Sequence, residues 1–197
     1  MLRIASVEEI EALLLELPDL VRLQQDRSAR FPERTSAWLV GLEDAFVANR
    51  LPQAGAIAAL RSGLVAADQG LQPAGLEFRG RPTRSRMVVA LASQAIQRAV
   101  AVAAPVVDEN RPRLAEAERV AQQIVAAARA RASIPAQARG TANADYLRVV
   151  RRSLTASEDL ENAMVHLEGL VGAYDALILL DRALAMVPDI VARGPAH

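Results

Sequence analysis

Cysteine is absent from this chain, and so is lysine: all 23 of its basic residues are arginine. The first absence excludes disulfides, thiol nucleophiles and cysteinyl metal sites. The second excludes a Walker-type phosphate loop, which needs a lysine, and any Schiff-base chemistry. Histidine is nearly absent as well. His197 is terminal, and His166 has no acidic residue three or four positions away on its own helix. Two distant histidines make no zinc site, which takes three or four ligands. The paired Glu-x-x-His units of a di-iron bundle are also missing. Aromatic residues make up 3% of the chain, too few to interleave with arginines as a base-stacking surface. No catalytic signature survives these exclusions, and the expectation is a protein that is not an enzyme, with no cofactor and no metal.

What is present is apolar and aliphatic. Hydrophobic residues form 52% of the 197, mostly Ala, Leu and Val, ample for a core. Alanine has the highest helix propensity and permits close helix approach. The fold class expected is all-α, a helical bundle of five to seven mostly antiparallel helices. The chain is read as one domain over 1–197, with subdivision at a 70–83 loop as the alternative and residues 188–197 as a flexible tail.

One stretch organises the rest. Met87 to Val107 is apolar on nearly every side, interrupted by Ser93, Gln94, Gln97 and Arg98. Those positions lie three and four apart, so on a helix they make one narrow polar strip. A central bundle helix fits this pattern. A bilayer span fits it poorly, with an arginine mid-span and much alanine in place of leucine. The N-terminal apolar run is cut by Glu8, Glu9, Glu11 and Glu16, unlike a signal peptide. A cytoplasmic protein without membrane contact is expected.

Taken in order, Ser6 with Glu9 has capping-box spacing, and Pro18 predicts a kink or restart in the first helix. Phe31-Pro32 opens a second segment whose apolar face is Trp38, Leu39, Leu42, Ala45 and Phe46. Trp38 reads as a core anchor rather than a ligand platform. Leu51-Pro52 starts a third, with Ile57, Leu60, Leu64 and Val65 facing inward and Gly70 closing it. Gly70, Gly75, Gly80, Pro73 and Pro82 mark the 70–83 loop. Thr83 can cap the central helix. A break is expected across Pro105 to Pro112, with Asn110 as a cap, then a helix over 113–132 carrying a small-residue seam of Ala117, Ala121, Ile124 and Ala128. Thr141 or Asn143 can cap a further helix through Leu154. The last helix, with Thr155 and Glu158 in capping-box spacing, is expected to run unbroken to Pro188. Gly169 and Gly172 lie inside it, and a close helix crossing would compensate for them. Its seam is Leu160, Met164, Leu167, Val171, Tyr174 and Ile178, and the stripe then shifts to Leu177, Leu180, Leu184 and Val187 with the drift of an untwisted helix. Glu161, Glu168 and Asp175 repeat every seven residues along one face, a stripe better read as solvated or arginine-paired than as an ion site.

Charge is balanced overall but not locally. Residues 1–70 carry 7 Arg against 10 acids, 71–152 carry 14 Arg against 6, and 153–197 carry 2 Arg against 7. The basic middle holds two candidate polyanion-binding groups: Arg79, Arg81, Arg84 and Arg86, then Arg148, Arg151 and Arg152. Arginine's forked donors suit phosphate, and the first group precedes a helix N-terminus. The competing reading pairs these arginines with the acidic terminal helix. Two functions follow. The first is a helical subunit or adaptor that binds a protein partner or itself; the alternative is a subunit binding nucleic acid without sequence preference.

Overall fold

The computed structural model describes residues 1–71, 83–131, 133–134 and 143–186. The protein is all-α, and among the described residues there is no strand. Eight segments follow one another: α1 (Ile4–Leu15), α2 (Leu17–Gln25), α3 (Phe31–Ala48), α4 (Ala54–Asp68), α5 (Arg84–Ala130), α6 (Asn143–Leu154), α7 (Glu158–Val171) and α8 (Ala173–Met186). Only Glu16 separates α1 from α2, so the pair is one helix restarted at Pro18, which sits in the first turn of α2. Counted that way there are seven helices among the described residues. The chain forms two compact units, one of Ile4–Asn110 with Leu2 and one from Arg111 onward with Met1 and Arg3. The division falls inside α5.

In the first unit α3 packs against α1, α2 and α4. Its predicted apolar face is all buried, and Trp38 is the expected anchor: its indole N–H donates to the Leu13 carbonyl at 2.7 Å. Gly41 lets α1 come close, since a Cβ there would lie 3.1 Å from Leu13 Cδ2. Polar bonds stitch the same elements. Gln24 donates to Ser93 across α2 and α5 at 2.8 Å, and Arg61 on α4 donates to Glu43 on α3 at 2.6 Å. That bond, aided by the guanidinium's charge, holds the Glu43 carboxyl below its ordinary value against the opposing effect of desolvation. Ser6 does not cap α1, which begins before it; its hydroxyl donates to Asn49 Oδ1 instead.

Three helices of this unit end in the same turn. Arg27, Arg50 and Gly70 follow α2, α3 and α4 with φ of 50°, 53° and 81°. After each, the next amide reaches back five residues: Ser28 to Leu23, Leu51 to Phe46 and Leu71 to Ala66, at 2.9–3.0 Å. This is the Schellman closure, in which a left-handed residue lets late carbonyls find donors. Gly70 enters it without strain. The two arginines bear the left-handed cost of an L-residue and carried no sequence signal for it.

α5 corrects the expected break at Pro105 to Pro112, because it runs through both prolines. Each proline removes one amide and crowds the carbonyl four residues back. Pro105 and Pro112 are exposed, as are Ala101 and Asp108, whose carbonyls lose those donors. Water can replace them there, while Ala103, Val106, Val107 and Ala117 stay buried on the other side. Asn110 lies within the helix and donates to the Val106 carbonyl at 2.8 Å rather than capping a new one. Thr83 does cap α5, accepting from the Arg86 amide at 3.3 Å. By length and hydropathy α5 could cross a membrane, and α7 with α8 would pass the same test together; 44% of the α5 window is buried in the protein. Gln97 and Arg98 lie on its exposed side.

In the second unit α6, α7 and α8 pack on one another. The seam Ala117, Ala121, Ile124 and Ala128 is buried as expected. The single long terminal helix is not formed: the chain bends by 115° between α7 and α8 at Gly172, whose φ is 86° and ψ 157°. Leu160, Met164, Leu167 and Val171 are buried, but beyond the bend Tyr174 is 67% exposed; Leu180 and Leu184 are buried as the shifted stripe predicts, together with Leu179 and Ala183. No close crossing compensates Gly169, which has open space around its Cβ position. Thr155 does not cap α7. Ser157 stands at the N-cap, and the Thr155 hydroxyl donates to the Arg152 carbonyl. The tail 188–197 and most of the 70–83 loop lie outside the described residues.

Candidate functional site

The first arginine group sits where α5 begins. Arg79 and Arg81 lie outside the described residues. Arg84 is taken up by Asp68 at the end of α4, with Nη2 at 2.9 Å from Oδ1 and both side chains about two-thirds exposed (63% and 66%). So exposed a pair adds little stability. Arg86 is exposed, and its amide is the one that Thr83 caps.

The second group is in the other unit. Arg148 pairs with Asp145 one turn earlier on α6. Arg151 reaches Glu168 on α7 at 2.8 Å, and Arg152 is exposed. Arg131, at the end of α5, donates to Ser157 at 2.8 Å and to Asp159 at 3.1 Å. Basic helices are thus tied to the acidic one beside them. Glu161, Glu168 and Asp175 do not form one stripe, because the bend puts Asp175 on α8, where it is buried.

Two arginines not singled out from the sequence do the most for the helix ends. Arg113 donates to the Leu170 carbonyl at 2.8 Å, and Arg129 to the Leu184 carbonyl at 3.0 Å. Both acceptors are in the last turns of their helices, α7 and α8, where carbonyls lack helical donors and the dipole favours a cation. Partners 57 and 55 residues apart leave no mark in a linear reading. Replacing Arg113 with Met should cost about 1–2 kcal/mol, since a charged donor to a carbonyl is lost. Thermal unfolding checks this. Arginines held in reserve for phosphate would show no such loss.

Elsewhere on α5 Arg119 donates to Glu116 through Nε at 3.0 Å and Nη2 at 2.5 Å. Those bonds hold the Glu116 carboxyl below its ordinary value, with smaller contributions from the fields of Arg119 and of His166, and against desolvation. His166 itself is exposed. Among the described residues no group of three or more His, Asp or Glu could hold a metal.

A cleft of about 910 Å³ opens in the first unit between α3, α4 and the start of α5. From α3 it is lined by Glu33, Ser36, Ala37 and Val40, and from α4 by Leu64, Val65, Asp68 and Gln69. Arg84, Ser85 and Val88 close it from α5, with Ala29 and Pro32 at one end. The helical spacings 33, 36, 37, 40 and 84, 85, 88 show that each helix presents one face. Val65, expected to point into the core, is 43% exposed here, and Val40 is 40% exposed. The signal available in advance was the 33–40 spacing on α3, opposite the buried face through Trp38.

Comparison of the chain with family models, with curated proteins and with solved structures finds no match.

Proposed function

We propose that this chain is a non-enzymatic helical subunit or adaptor in the cytoplasm, binding through helical surfaces to a second copy of itself or to a protein partner. The observation that supports the reading is a contrast between charged and apolar side chains in the second unit. Arg113, Arg129, Arg131, Arg148 and Arg151 are turned onto carbonyls and carboxylates of their own unit. Val149, Val165, Tyr174 and Met186 remain in water, with Val165 65% and Met186 68% exposed. A polyanion would have to compete for most of those arginines. A protein surface would bury the apolar groups without disturbing the pairs.

Sedimentation equilibrium tests the self-associating form. From micromolar to tens of micromolar protein, the mass should rise to twice that of the chain or more. Val165→Arg should shift the rise to higher concentration. A single-chain mass throughout would contradict self-association.

A further inference from the structure

The cleft between α3, α4 and the start of α5 is lined wholly by residues of the first unit and has its own chemistry. Its volume of about 910 Å³ falls in the range of pockets that enclose a small organic molecule. Leu64 and Val88 are almost fully buried at its base, 4% and 9% exposed. Val40 and Val65 stand half in water above them. An apolar body can therefore displace water from Val40 and Val65.

Its charges favour one sign. Among the described residues, Glu33 and Asp68 supply two carboxylates to the lining and Arg84 the one guanidinium. Asp68 and Arg84 are bonded to each other. Glu33, exposed in the first turn of α3, has no ion pair among the described residues. The net charge on the lining is negative and sits at the end where Glu33 and Pro32 meet the apolar wall. An anionic head group entering here would meet two carboxylates and an arginine already shared. A cation would meet a carboxylate with no competing partner.

We infer that this cleft binds an amphiphilic organic cation, an alkyl- or arylammonium compound, with its apolar part against Val40, Val65 and Val88 and its ammonium beside Glu33. Selectivity comes from the Glu33 carboxylate, and affinity mainly from apolar burial.

Matched probes separate those contributions. Decyltrimethylammonium, decanoate and decanol, each below its aggregation limit, are titrated into the full chain by calorimetry. The cation should saturate at one site and bind about tenfold more tightly than decanoate, with decanol between, since attraction at one carboxylate becomes repulsion when the ligand's sign is reversed. Glu33→Gln should collapse the cation's advantage over decanol and leave decanol's affinity in place. Val65→Arg, at a half-exposed position, should abolish binding of all three while far-ultraviolet circular dichroism stays unchanged. Equal or tighter binding of decanoate overturns the inference. So does cation binding that persists in Val65→Arg, or no saturable binding by any probe.

Discussion

Leu167→Asp is expected to unfold the α6–α7–α8 unit, with a loss of about 4–5 kcal/mol. Leu167 has 0% exposure and lies on the buried face that also holds Leu160, Met164 and Val171. Two costs combine. Removing most of a buried leucine costs roughly 2–5 kcal/mol by itself. The aspartate must then either bury a charge without a partner or stay protonated well above its ordinary range. Set against total stabilities of about 5–15 kcal/mol, that loss leaves little. Val165→Asp, two residues earlier on the same helix and 65% exposed, should change stability by no more than about 0.5 kcal/mol. Urea unfolding followed by helix signal distinguishes the two. An unchanged midpoint for Leu167→Asp would place that face of α7 in water.

Gly172→Ala and Gly169→Ala should have opposite signs although they lie three residues apart. Gly172 has φ 86° and ψ 157°, a region that is essentially glycine's alone, so a Cβ there costs about 1–3 kcal/mol. The cost is conformational: the added methyl would meet only Met1 Cε, at an ordinary 3.8 Å. Gly169 lies inside α7 with nothing within 4 Å of a Cβ. Alanine there should stabilise by about 0.5–1 kcal/mol, through helix propensity and a less disordered unfolded chain. The denaturation midpoints should therefore move in opposite directions. Equal shifts would mean that the bend does not depend on Gly172.

These two glycines also show where a linear reading reaches its limit. Helix class and most buried positions were legible, because apolar residues at spacings of three and four can bury themselves only on helices. Trp38, the α3 face and the Ala117–Ala128 seam were all found that way. Breaks were harder. Proline at 105 and 112 looks like a stop, yet it is tolerated on the wet side of a helix whose opposite side is packed. Gly172 looks like a tolerated helix residue, yet it makes the turn, because only tertiary packing decides which of two glycines adopts positive φ. The candidate site shows the same limit. The excess of arginine over 71–152 was visible, and so was the acidic partner region, but which arginine meets which carbonyl depends on contacts more than fifty residues apart. The cleft arises from three helix faces, two of them unremarkable by themselves.

Central to the proposed function is that most described arginines of the basic middle region, namely Arg84, Arg113, Arg119, Arg129, Arg131, Arg148 and Arg151, are bonded within the protein, which leaves few to offer a polyanion. The most direct test is a titration of the purified chain into end-labelled single- and double-stranded oligonucleotides, followed by fluorescence anisotropy across a salt series beginning at low ionic strength. The account predicts flat curves for both at every salt concentration, and the same for a protein in which Arg84 and Arg86 are alanine. Saturable binding that weakens linearly in log affinity against log salt would contradict it, because that slope counts phosphates neutralised by free cationic side chains. An equal loss for unrelated sequences on replacing Arg84 and Arg86 would then assign the contacts to the nucleic-acid backbone.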